Sequence, residues 1–104
     1  MDKKDKILIK IKKSITKEDS EAEIILFGSR ARGDNTNISD WDILVLIDNN
    51  NTNELEDKFR NNLYEIELET GQIISTIVYS KNYWSNILKY SPLYNNVNKE
   101  GIRL

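Results

Sequence analysis

The chain has no cysteine, no histidine and a single proline, Pro92. Without cysteine there is no disulfide framework and no thiolate metal site, and the expected address is the cytoplasm. Without histidine, imidazole is excluded as base, acid or metal ligand. Acid–base and metal chemistry therefore falls to carboxylates, Lys, Tyr or Ser. No apolar run approaches the roughly 18 residues that a membrane-spanning helix needs. The opening stretch, Met1-Asp2-Lys3-Lys4-Asp5-Lys6, is too charged for the apolar segment of a signal peptide, so no membrane association is expected. A basic excess is missing too. The net charge of −2 argues against direct nucleic-acid binding, which leaves a basic footprint.

What remains is a chain of 104 residues, 38% hydrophobic and 31% charged, and these values fit one soluble domain over residues 1–104. Ile7, Leu8, Ile11 and Ile15 recur at helical spacing within 6–20, with Lys10, Lys12, Lys13 and Lys17 on the outer, solvated face. Glu23 to Phe27 reads as a strand, Arg30 to Gly33 as a short helical turn, Asp34 to Ser39 as a loop and Trp41 to Ile47 as a second strand. Asn51 followed by Glu54 predicts a helix start, and Leu55, Phe59, Leu63 and Ile66 continue its apolar face to a stop at Gly71. Gln72 to Tyr79 is a third strand. Ser80 can cap a helix bearing Trp84, Ile87 and Leu88, and Ser91-Pro92 can open a last turn. This order predicts an α/β or α+β domain in two layers. The expected core is Ile7, Ile11, Ile15, Ile24, Leu26, Ile43, Val45, Leu55, Phe59, Leu63 and residues of the 73–78 strand. Leu93, Tyr94, Val97, Ile102 and Leu104 either cover that core or form a docking or dimer surface.

The chemistry concentrates between the first two strands. The first ends in Gly28-Ser29, and the second opens on Asp40-Trp41-Asp42. Residues i and i+2 of a strand share a face, so Asp40 and Asp42 project together and Trp41 points away, into the core. Two adjacent carboxylates repel unless a cation or a shared proton resolves the repulsion. Oxygen ligands of this kind suit Mg²⁺, which is held by one or two carboxylates plus substrate phosphates. A glycine lets backbone approach a phosphate closely, and backbone N–H groups at a strand-to-helix turn favour an anion. Gly28 and Ser29 thus form a candidate phosphate cradle facing a candidate metal site at Asp40 and Asp42. Arg30 and Arg32 either reach phosphate or pair with acids such as Asp34.

Gly28-Ser29, about ten intervening residues and Asp40-Trp41-Asp42 flanked by apolar strands resemble the signature of the nucleotidyltransferase superfamily that includes DNA polymerase beta, and most closely its small stand-alone minimal nucleotidyltransferases. The resemblance covers most of the chain and implies a polymerase-beta-like mixed sheet backed by helices. It implies transfer of a nucleoside monophosphate from an NTP, with ATP the first candidate, to an acceptor hydroxyl. It makes Asp40 and Asp42 the catalytic, metal-holding carboxylates and places Gly28, Ser29 and Arg30 on the nucleotide. It also implies a helical HEPN-fold partner protein, as in toxin–antitoxin pairs, with a homodimer as the other assembly.

One departure stands out. Such relatives carry a third carboxylate on the later strand, where this chain has Ser75 within Gly71-Gln72-Ile73-Ile74-Ser75-Thr76-Ile77. Glu65, Glu67 and Glu69 are not spaced to replace it, and Asp48 lies six residues of about 3.3 Å each beyond Asp42. Three functions therefore compete: an active transferase modifying a partner, a non-catalytic nucleotide-binding antitoxin or regulatory subunit, and an antibiotic nucleotidyltransferase. The last lacks an acceptor-binding domain.

Overall fold

The computed structural model describes residues 3–48 and 52–104. The elements run α1 (Lys3–Glu18), β1 (Glu23–Phe27), α2 (Ser29–Arg32), β2 (Trp41–Ile47), α3 (Asn53–Thr70), β3 (Ile74–Ser80), α4 (Lys81–Asn86), a 3-10 turn (Leu88–Tyr90), α5 (Pro92–Glu100) and β4 (Ile102–Arg103). They form a four-stranded mixed sheet in the order β3-β2-β1-β4. β1 is antiparallel to both β2 and β4, while β2 and β3 are parallel and joined through α3.

Two separate cores hold the sheet, one on each face. On the first, Ile7, Ile11 and Ile15 of α1 and Phe59, Leu63 and Ile66 of α3 cover Ile24, Leu26, Trp41, Ile43, Val45, Ile47, Ile74 and Val78. These are the apolar faces expected from helical spacing, with Leu55 only partly buried against them. On the second face, Trp84 and Val97 bury Ile25, Leu44 and Leu46, with Leu93, Tyr94 and Leu88 at the margin. The expected two-layer arrangement is thereby corrected: helices lie on both sides of the sheet. The reason is visible in β2, where Ile43, Leu44, Val45 and Ile47 are all fully buried. An uninterrupted apolar strand requires cover on both faces.

The chain closes the second face with local devices. Ser80 caps α4 by accepting from the Tyr83 N–H (3.0 Å), and Ser91 caps α5 by accepting from the Tyr94 N–H (3.1 Å), with Pro92 in the first turn. α5 extends the single turn expected there to nine residues. Across this core Tyr79 stacks on Trp84 and Trp84 meets Tyr94 at a tilt, with ring centroids 6.2 Å and 5.1 Å apart. Most of the apolar tail thus covers the domain's own core: Val97 is buried, Leu93, Tyr94 and Leu104 are half-buried, and Ile102 is exposed.

Some local expectations change. Asn51 lies outside the described residues, and the residue preceding α3 is Thr52, which makes no side-chain cap bond. β3 begins at Ile74 rather than Gln72, leaving Ile73 exposed. Ile87 follows α4 and is 61% exposed, so it is not part of the core. β4 has two residues and was not foreseen. Gly71 does end α3, with a left-handed φ of 73°. Among the described residues, no helix is long and apolar enough to cross a membrane.

Candidate active site

The site lies where β1 leaves the sheet and β2 enters it. β1 ends at Phe27, and the chain reverses at Gly28 with φ 75° and ψ −159°. Only glycine takes this conformation without strain. A second constraint is spatial. A Cβ at position 28 would lie 2.2 Å from Asp42 Oδ2 and 3.1 Å from its Cγ. The missing side chain is what lets the Asp42 carboxylate lie against the turn. Ser29 then opens α2, a single turn in which the Gly28 carbonyl accepts from the N–H groups of Ala31 and Arg32, both at 3.1 Å. Gly33 (φ 85°) ends that turn, its N–H donating to the Ser29 carbonyl at 2.9 Å.

β2 brings the acids to this turn. Trp41 is buried in the first core, so its neighbour Asp42 faces the opposite side of the sheet, half-buried. Asp40, just before the strand, is exposed. Burial pushes the Asp42 carboxyl above the usual carboxylate range, and the nearby Asp40 charge pushes it further; Arg32 pulls the other way and Glu100 adds to the rise. The two aspartates therefore feel each other. A cation would relieve both causes, so the donor set fits a hard divalent ion. Among the described residues, however, no three acids form a metal-ligating group. The position beside Asp42 on β3 is occupied by Ser75, which is in register with it and exposed. The acids considered as substitutes lie elsewhere. Glu67 accepts from the Ile74 N–H (2.8 Å), Glu69 pairs with Lys10, and Asp48 pairs with Lys81 (3.3 Å).

The two arginines separate. Arg30 lies over the Trp41 ring, 4.2 Å from its centroid. Its Nε and Nη2 donate to the Ser39 carbonyl (3.2 and 3.0 Å), and Nη2 also reaches the Asn37 carbonyl (3.4 Å). Gln72 completes this frame: its Oε1 accepts from Trp41 Nε1 (3.1 Å) and Arg30 Nη2 (3.3 Å). Arg30, expected among the nucleotide-binding residues, thus fastens the loop that presents Asp40. Arg32 lies among the acids. It pairs with Asp34 (3.1 Å) and with Glu100 (2.9 Å), and both acids hold its guanidinium further above its ordinary range, Glu100 first.

Glu100 and Gln72 are the site residues that sequence reading missed. Glu100 closes α5, and its Oε1 accepts from the Gly28 N–H at 3.3 Å. Its position follows from β4 pairing with β1, Leu26 opposite Ile102. A two-residue strand carries no periodic signal from which that pairing could be read.

The comparisons with known proteins bear on the family and the fold. The family model of the nucleotidyltransferase domain matches residues 8–99. No curated protein matches the chain. Among solved structures, a chain in the crystal structure of a mutant MntA–HpeT toxin–antitoxin complex is similar to this one, with a TM-score of 0.57 and 19% identity over 100% of this chain and 72% of that chain. At that identity the similarity shows the fold, which is the mixed sheet backed by helices described above.

Proposed function

Because the chain belongs to the nucleotidyltransferase domain family, we propose that it holds a metal–nucleoside triphosphate between Gly28-Ser29 and the Asp40–Asp42 pair and moves the nucleoside monophosphate to a hydroxyl of a partner protein. The observation that carries this reading is the close approach of Gly28 and Asp42: a glycine turn and a half-buried carboxylate share one side-chain-free point. In the transfer the acceptor oxygen forms a bond to the α-phosphorus. The bond from that phosphorus to the bridging oxygen breaks, and pyrophosphate leaves with the electron pair. The hydroxyl proton passes to solvent or to a carboxylate of the site. Catalysis of this kind is positioning and charge neutralisation. A divalent ion such as Mg²⁺ would supply the neutralising charge, held by Asp40 and Asp42. Ser29 binds triphosphate oxygens beside Gly28, and Arg30 contributes by fixing the loop before Asp40. ATP is the first nucleotide to test.

For the partner, the similar fold in the MntA–HpeT toxin–antitoxin complex supports a paired system; a helical HEPN-fold protein, the partner that the family resemblance implies, is the acceptor to test. A second reading has its own observation. Ser75 beside Asp42 leaves the site one carboxylate short of the pattern that activates an acceptor. The chain would then bind nucleotide without turnover, as an antitoxin or regulatory subunit. One experiment separates the two: incubation with α-labelled ATP, with and without a candidate HEPN-fold partner protein, for wild type, Asp42→Asn and Ser75→Asp. Label on the partner that depends on Asp42 and rises in Ser75→Asp supports transfer with an incomplete metal site. Mg²⁺–ATP binding without label in any protein selects the binding-only reading. Binding unaffected by Asp42→Asn rejects the site.

A further inference from the structure

We propose that the Glu100 carboxylate is an internal stand-in for phosphate, holding the Gly28 amide and the Arg32 guanidinium and yielding both donors to the incoming triphosphate. This rests on the reading of Gly28-Ser29 as the triphosphate turn. Glu100 Oε1 accepts from the Gly28 N–H at 3.3 Å, and Oε2 accepts from Arg32 Nη1 at 2.9 Å. A backbone amide beside a guanidinium is a donor set that suits phosphate oxygens, and a carboxylate engages it by the same chemistry.

The contacts are built to release. The amide bond is long beside the usual 2.9–3.0 Å or so. The ion pair is partly screened, with the Arg32 side chain 47% and the Glu100 side chain 17% exposed. Letting go requires only rotation of one side chain. The end of α5 is held independently by the Gly101 N–H on the Val97 carbonyl (2.7 Å) and by β4 on β1. Arg32 is not stranded by the exchange, since Asp34 remains at 3.1 Å. Electrostatics favours it as well: Gly28 has the Asp42 carboxylate against one side and Glu100 on its amide, two like charges with the Arg32 cation beside them.

The test is calorimetry of pyrophosphate and Mg²⁺–ATP on wild type, Glu100→Gln and Glu100→Asp, with amide NMR of the wild type. Gly28 is one of four glycines, whose N–H signals are readily separated. Removing the competing charge should tighten binding about three- to tenfold, the range of a partly exposed charged contact. Glu100→Asp should tighten it less, since the shorter side chain keeps the charge and loses reach. In the wild type, ligand should shift the Gly28 and Ser29 amides together. Equal or weaker binding by Glu100→Gln overturns the proposal. So does a ligand that shifts Ser29 and leaves Gly28 unmoved, a result that requires no variant to fold. If ligand moves neither amide of the wild type, the triphosphate turn itself is refuted along with the exchange.

Discussion

Replacing Gly28 by alanine tests the geometry on which the site depends. The perturbation has two parts. The backbone at φ 75° and ψ −159° lies in a region that only glycine occupies freely, and an L-residue held there costs about 1–3 kcal/mol. The new Cβ would also sit 2.2 Å from Asp42 Oδ2, so the carboxylate must leave its rotamer, adding about 0.5–1.5 kcal/mol. Gly28→Ala should therefore lose about 1.5–4.5 kcal/mol in urea denaturation. It should also lose Mg²⁺–ATP binding, because the displaced acid is the proposed metal ligand. Asp42→Ala separates the two parts. It removes the contacts at 2.2 and 3.1 Å and leaves only the Asp42 Cβ, at 3.3 Å. In the double variant the steric part disappears while the backbone part remains, giving a coupling of about 0.5–1.5 kcal/mol in the cycle. A Gly28→Ala protein as stable as the wild type would refute the whole account. A strictly additive cycle would refute the claim that this glycine makes room for Asp42.

Two further outcomes concern stability. The Asp42 pKa is raised in the folded protein, so the neutral acid is the form that folding favours. Its contribution is complete below the ordinary carboxylate pKa of about 4 and is lost as pH rises through the folded-state value. Asp42→Asn should accordingly be more stable than wild type at pH 7, with the two curves converging near about pH 3–4. A wild type that gains on the variant with rising pH would reverse the sign and indicate a salt-bridged aspartate. Phe59 is fully buried between α1, α3 and the sheet, and Phe59→Ala should cost about 3–5 kcal/mol. A near-neutral denaturation midpoint would show that this cavity collapses at little cost.

How far the sequence reveals the molecule depends on the range of the interaction involved. The first core is legible because α1 and α3 repeat their apolar residues at helical spacing, and spacing is a local property. The Ser80 and Ser91 caps are legible for the same reason. The second core is harder to read. Trp84 and Val97 sit on short helices whose apolar faces span barely two turns, and Ile25 and Leu44 look no different from residues serving the first face. In the candidate site, Gly28, Asp40 and Asp42 are recognisable within fifteen residues of chain, and Ser75 can be set against Asp42 once a parallel third strand is inferred. Glu100 is 72 residues from the amide it contacts, and Gln72 is 31 from Trp41. Such contacts exist only after the sheet order is known.

The division between the two arginines shows how the fold settles what composition leaves open. Arg30 and Arg32 are two residues apart on a one-turn helix, so their side chains cannot face the same way. Trp41 decides between them. Its ring is buried beneath the loop, and its indole N–H is already satisfied by Gln72, so the ring face is free to take a guanidinium. Arg30 occupies it and, in doing so, ties the Asn37 and Ser39 carbonyls just before Asp40. Arg32 is directed instead toward α5, where Glu100 meets it. One arginine therefore fixes the position of an acid, while the other stays near the Asp42 carboxyl as a cation that offsets its charge. Loss of Arg30 would leave the Asp40 loop without its tether, and loss of Arg32 would leave Glu100 without its ion pair. For that reason the spacing of Arg30 and Arg32, and not simply their charge, belongs to the design of the site.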